Sequence, residues 1–243
     1  MSRSTTNPTS APLSNSDFAI DLPRLNAESE KTQLQLIQQC ADASDSGLET
    51  LMEFLLERQA QRTSAAAGKA YRLLRKANTA KTQEFCQTHF PQGVVPLQSA
   101  QEVDYSKLQE LLIQQDFQAA DRLTLEKLCE LAGDAAIQRK WIYFTEVESF
   151  PTIDLQTINL LWLVYSEGKF GYSVQRELWL GLGKNWEKLW TAIGWKSGNS
   201  WTRYPQGFTW NLSAPRGHLP LSNQLRGVRV IASLLMHPAW TEK

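Results

Sequence analysis

The chain has 243 residues, and its 25 Lys and Arg balance 25 Asp and Glu, so the formal net charge is zero. A hydrophobic fraction of 42% and a charged fraction of 21% are those of an ordinary globular protein, long enough for one large domain or two small ones. The neutral balance argues against a chain that holds nucleic acid by bulk charge, and no run of 18 apolar residues suggests a membrane-spanning helix.

The chain opens on a stretch rich in Ser, Thr, Pro and Asn with no hydrophobic block. It does not read as a secretory signal, and residues 1–20 are expected to form a disordered tail. Residues 21–90 read as a small helical bundle. Leu48, Leu51, Met52, Leu55 and Leu56 fall at helical spacing, and Ala67, Ala70, Tyr71 and Leu74 repeat the pattern more weakly. Two prolines and a glycine between Phe90 and Ala100 break the periodicity, so residues 91–100 are assigned as a linker.

A second helical set fills residues 101–243. Leu108, Leu111 and Leu112 mark one helix. Phe117, Thr124, Leu128 and Leu131 mark the next, with Gly133 as its C-cap. The spacing of Trp141, Phe144, Val147 and Phe150 predicts a helix over 139–150, stopped by Pro151. Asp154 reads as the N-cap of a helix carrying Leu155, Ile158, Trp162 and Tyr165, and Ser173 as the cap of one reaching Leu180. A short helix over 184–193 precedes a long loop, 194–220, with four glycines and three prolines. Loops of that length in a compact domain usually carry function. A last helix is expected from Leu221 to Met236. The three cysteines, Cys40, Cys86 and Cys129, lie far apart without metal-ligand spacing and read as buried thiols in a reducing compartment.

Two asymmetries point to function. All nine tryptophans lie at or after Trp141. Residues 188–241 contain no Asp or Glu, yet hold Lys188, Lys196, Arg203, Arg216, Arg226 and Arg229 among Trp190, Trp195, Trp201, Tyr204, Phe208, Trp210 and Trp240. Fixed cations beside flat apolar rings suit an extended aromatic ligand with anionic ends, which describes both a porphyrin with its propionates and a single-stranded nucleic acid. On the expected last helix Asn223, Arg226 and Arg229 recur every third residue on one side, a receiver for carboxylate or phosphate. The aromatics of the 201–210 loop read either as an exposed contact surface or as rings folded back into the core. Catalytic signals are poor. His89, His218 and His237 have no ligand partner at helical spacing, and no nucleophile elbow, P-loop or dinucleotide fingerprint is present. A binding protein is favoured over an enzyme.

The strings PLQSAQ and KLCELAG, the run from Gln138 to Phe150 containing YFTEVE, the run GYSVQR, and above all IGWKSGNSWTRYPQGFTWNLSAP followed by GHLP and NQLRGVRV resemble the genomes-uncoupled-four family. The resemblance spans residues 96–240, and the segment before it resembles the N-terminal bundle of cyanobacterial members. It implies an all-helical fold likened to a cupped hand, with a greasy palm formed by helices and the long loop. It further implies binding of protoporphyrin IX and magnesium protoporphyrin IX, non-catalytic activation of magnesium chelatase through its large porphyrin-binding subunit, and a cytoplasmic location partly peripheral at the thylakoid membrane. Carried onto this chain, Phe144 and Val147 line the palm, Trp201, Arg203, Tyr204 and Phe208 come from the loop, and Asn223, Arg226 and Arg229 meet the polar side of the porphyrin. Position 204, often Trp in the family, is Tyr here. The runner-up is a single-stranded nucleic-acid module using the same rings and arginines.

Overall fold

The computed structural model describes residues 21–43, 45–61, 63–222 and 227–241. The expected tail, 1–20, lies outside them, as do Asn223 and Arg226. Among the described residues the fold is all-helical but for one two-residue hairpin.

Five helices form the N-terminal bundle: α1 (Leu22–Ala27), α2 (Glu30–Ala43), α3 (Asp45–Arg58), α4 (Ala65–Ala77) and α5 (Ala80–His89). Their ends carry local signals. Ser64 caps α4 by accepting from the Ala67 N–H, Asn78 closes it in the left-handed conformation, and Thr79 and Thr82 form a capping box on α5. Of the expected stripe on α3, Leu51, Met52 and Leu55 are buried and Leu48 is half-buried, whereas Leu56 is exposed; Leu74 on α4 is buried.

The remaining helices are α6 (Ser106–Ile113), α7 (Phe117–Ala132), α8 (Asp134–Arg139), α9 (Phe144–Val147), α10 (Thr152–Tyr165), α11 (Tyr172–Gly181), α12 (Trp186–Ala192) and α13 (Arg229–Met236). A hairpin pairs β1 (Lys196–Ser197) with β2 (Ser200–Trp201), and a 3₁₀ turn, Pro238–Trp240, follows α13. Helix α10 is the spine. Its Trp162 donates to Thr124 Oγ1 at 3.0 Å and stacks on Phe117 at 6.0 Å between ring centroids.

One buried apolar core runs through both helical sets. Helices α4 and α10 cross closely because Gly68 has no side chain: a Cβ there would sit 2.5 Å from the Val164 carbonyl oxygen. Beside the crossing, Glu167 accepts from Lys69 and Arg72 at 3.3 and 3.1 Å. The proline-broken segment 91–100 is tied down as well. Asp154 accepts from the Ala100 N–H at 2.9 Å and the Tyr105 hydroxyl at 2.8 Å, and Thr157 donates to the Gln98 carbonyl.

Several expected boundaries move, each for a tertiary reason. Asp154 does not cap α10, which starts at Thr152; it is fully buried and serves those linker contacts. Ser173 does not cap α11. The cap position is Gly171, and the Ser173 N–H is satisfied by the Asn159 side chain of α10 at 2.9 Å. The helix over 139–150 shrinks to Phe144–Val147, because Lys140 turns left-handed and ends α8. The last helix begins at Arg229 rather than Leu221, with Gly227 at φ +90° just before it. Gly133 closes α7 as expected.

Candidate functional site

Residues 194–220 are irregular but not loose. Trp195 is fully buried and donates from Nε1 to the His218 carbonyl at 2.8 Å. Its indole ends a ladder with Trp190, Trp186 and Trp179, at successive centroid separations of 5.4, 5.3 and 4.7 Å. Trp201, half-buried on β2, leans on Trp190 at 6.0 Å, with the Lys196 ammonium 5.3 Å from the centre of its ring.

His218 is the buried pin of the loop. Its Nδ1 faces the Ile193 carbonyl at 2.5 Å, and its Nε2 accepts from the Thr209 N–H at 3.2 Å. A carbonyl can only accept, so the proton sits on Nδ1 and the ring is neutral. Burial holds its pKa below the usual value, against the pull of the Ile193 carbonyl. Both ring nitrogens are used, which leaves neither for a metal.

Phe208 packs on that imidazole at 5.4 Å and is only 6% exposed. The two readings of the loop aromatics therefore divide between residues. Phe208 belongs to the folded-back set, contrary to the expectation of a ring held over a ligand. Tyr204, 6.4 Å from Phe208 and edge-on to Trp210, is 50% exposed. Arg203 beside it is exposed and forms no ion pair among the described residues.

Helix α13 packs on α9. Arg229 is exposed and its guanidinium lies 5.3 Å over the half-buried Phe144 ring. Val147, expected to line the palm beside Phe144, is instead fully buried and belongs to the core. Arg139 lies over Trp141 and the exposed Tyr143 and pairs with Glu146. Large apolar side chains that remain exposed include Leu125, Tyr143, Tyr204, Val228 and Met236 in this half of the molecule. Exposed rings and aliphatics beside unpaired cations mark a contact surface.

The cationic excess of 188–241 is smaller in space than in sequence. Glu187 accepts from Lys196 at 2.5 Å, and Glu177 from Arg216 at 2.5 Å. Both acids lie on helices before the acid-free stretch, a pairing that periodicity alone does not reveal. Asp121, which helical spacing places with Glu126 and Glu130 on a solvated face, is instead a buried carboxyl on α7 that accepts from the Leu221 N–H at 2.6 Å. Burial raises its pKa to about 7, opposed by the Leu221 hydrogen bond and by Arg122. Its only sequence signal is an Asp inside the apolar stripe of a helix.

Fold and site together define an all-helical, two-part protein with exposed aromatic and basic side chains on its C-terminal part. The GUN4-like family model matches residues 98–238, and a model for the ARM-like repeat domain at the GUN4 N-terminus matches residues 14–91. The chain belongs to the GUN4 family. It is 53% identical over 220 residues to a Ycf53-like protein of Synechocystis sp., covering 90% of this chain and 94% of the relative. It is 36% identical over 145 residues to the chloroplastic tetrapyrrole-binding protein of Arabidopsis thaliana, covering 56% of this chain and 55% of that one. Among solved structures, GUN4 from Chlamydomonas reinhardtii superposes with a TM-score of 0.57 at 38% identity, covering 61% of this chain and 95% of that structure. The ligand-free GUN4 of Arabidopsis thaliana gives 0.53 at 37% identity, with coverages of 57% and 98%. No helix among the described residues is long and apolar enough to cross a membrane.

Proposed function

We propose that this chain binds protoporphyrin IX and magnesium protoporphyrin IX on the face carrying Phe144, Trp201, Arg203, Tyr204 and Arg229, and thereby activates magnesium chelatase without itself being a catalyst. The observation that carries the reading is the coexistence, in a GUN4-family chain, of half-exposed rings and unpaired guanidinium groups on one domain. The Arabidopsis relative's description as a tetrapyrrole-binding protein supports it. Burying a flat apolar macrocycle supplies most of the affinity through removed apolar area, and Arg203 and Arg229 orient its propionates by charge. Asn223 and Arg226, assigned to the same polar rim, lie outside the described residues.

The described residues hold no cluster of three or more His, Cys, Asp or Glu side chains suited to a metal. The large porphyrin-binding subunit of the chelatase is the proposed partner, and a location at the thylakoid surface follows from that partnership.

A salt titration separates this reading from a nucleic-acid module. Porphyrin affinity should change little between 50 and 500 mM salt, whereas affinity for a single-stranded oligonucleotide should fall steeply as counterions compete. Adding the chain to purified chelatase should raise the rate of magnesium insertion. Tight, strongly salt-dependent oligonucleotide binding without porphyrin binding would overturn the proposal.

A further inference from the structure

Two of the strings singled out in the sequence, GYSVQR at 171–176 and GHLP at 217–220, lie against each other in the fold. Every carbonyl of the second string accepts a hydrogen bond. Gln175 Nε2 on α11 donates to the Gly217 and Pro220 carbonyls at 3.0 and 2.8 Å. The Trp195 indole donates to the His218 carbonyl at 2.8 Å, and the Gly171 N–H to the Leu219 carbonyl at 3.0 Å. The Gly217 N–H returns a bond to the Lys169 carbonyl at 2.8 Å. Close approach to α11 requires a glycine at 217: its φ is +79°, and a Cβ there would sit 2.8 Å from the Leu178 side chain.

Gln175 holds both ends of the GHLP string. Carbonyls can only accept, so the amide must turn its two N–H groups toward them. The side chain is fully buried, and its oxygen has no hydrogen-bond partner among the described residues. A buried acceptor left unpaired is unfavourable, so it is the two donors, not packing, that call for glutamine here. Between the two clamped carbonyls sits His218. Its Nε2 accepts from the Thr209 N–H at 3.2 Å, and its ring packs on Phe208 at 5.4 Å. Phe208 in turn lies 6.4 Å from the half-exposed Tyr204 ring. A chain of contacts thus runs from Gln175 through His218 and Phe208 to the proposed ligand face.

We propose that Gln175 is a positioning residue for tetrapyrrole binding: by clamping Gly217 and Pro220 it fixes the His218 pin, and through the pin the place of Tyr204, before a ligand arrives. The inference rests on the porphyrin reading above. A ring ordered in advance gives up no conformational freedom on binding, so its contact area counts in full. Without the clamp the loop spends part of its time elsewhere, and affinity falls with the fraction of chains whose Tyr204 is in place. Phe144 is held separately. It opens α9, where Glu146 accepts from the Tyr143 N–H at 2.7 Å, so its contribution does not depend on Gln175.

The test uses the full chain and deuteroporphyrin IX, a soluble protoporphyrin analogue. Gln175→Met keeps the length of the side chain and removes both donors. Its affinity should fall roughly three- to tenfold. Tyr204→Ala, a severalfold loss in the wild type, should cost less than about twofold in the Gln175→Met background, whereas Phe144→Ala should cost the same in both. A glutamine that only stabilises the fold would leave the Gln175 and Tyr204 losses independent, and that additivity would overturn the positioning role. Unchanged affinity of Gln175→Met would overturn it too. If the variant does not fold, hydrogen exchange in the porphyrin-free wild type decides. The Thr209 and Gly217 N–H groups should exchange at least about a hundredfold more slowly than in an open chain. Open-chain exchange there, with protection only after porphyrin is added, would overturn the proposal. Failure of the wild type to bind deuteroporphyrin at all would overturn the porphyrin reading and the positioning with it, whereas additive losses leave that reading standing.

Discussion

The two helical sets share a core but spend their side chains differently. In the N-terminal bundle, local chemistry and burial agree: helix ends are capped, the apolar stripe faces inward, and there is no tryptophan. In the C-terminal part, rings remain at the surface, Arg203 and Arg229 form no ion pair among the described residues, and most of the described buried polar atoms without a partner lie here, those of Tyr172, Gln175, Trp179 and Ser222 among them, against Arg58 in the bundle. A sequence satisfied at every level describes a scaffold, whereas departures concentrated in one region mark where a ligand or partner completes the structure.

Phe208→Ala is the strongest way to sharpen the contrast within the loop. Phe208 is buried against His218, so its loss should cost about 3–5 kcal/mol in urea unfolding. A cost below about 1 kcal/mol would return the ring to the ligand-facing set. The second test is pH. The Asp121 carboxyl is raised to about 7 in the folded chain, so the stability it permits is fully present below its unfolded pKa, near 4. That stability is lost progressively as pH rises to about 7. Asp121→Asn should therefore be the more stable protein at pH 8, by roughly 2–4 kcal/mol, with the gap closing toward pH 4. A gap independent of pH would contradict the buried, titrating carboxyl.

Gly68→Ala probes the seam between the two sets. Its methyl group meets the Val164 backbone, and forcing α4 off α10 should cost about 1–3 kcal/mol. Porphyrin affinity should stay within about twofold if the bundle is only a scaffold; a larger loss would draw it into the site. Tyr204→Ala should do the opposite. A half-exposed ring contributes little to folding, so stability should move by less than about 1 kcal/mol. Porphyrin affinity should fall severalfold, as it should for Arg229→Glu.

Legibility in the sequence followed the same division. The leucine stripe of α3, the Gly133 stop and the all-helical class are visible because they depend on nearest neighbours along one helix. Asp154, Ser173 and the start of α13 were misplaced because their partners come from elsewhere: the linker, Asn159, and the turn at Gly227. Arg229 and Phe144 were both assigned to the site, and the fold brings them into contact. Phe208 and Tyr204 are indistinguishable as loop aromatics in sequence. Only the His218 pin, formed across the loop, shows which ring is buried.

Whether the tryptophan-bearing part binds a tetrapyrrole is decided by titrating the full chain's intrinsic fluorescence with protoporphyrin IX. All nine tryptophans lie in the C-terminal part, and Trp201 on the proposed face touches the ladder through Trp190. Saturable quenching at one equivalent is expected, with Tyr204→Ala and Arg229→Glu shifting the midpoint to higher porphyrin. Linear, unsaturable quenching that is identical in wild type and both variants would contradict it.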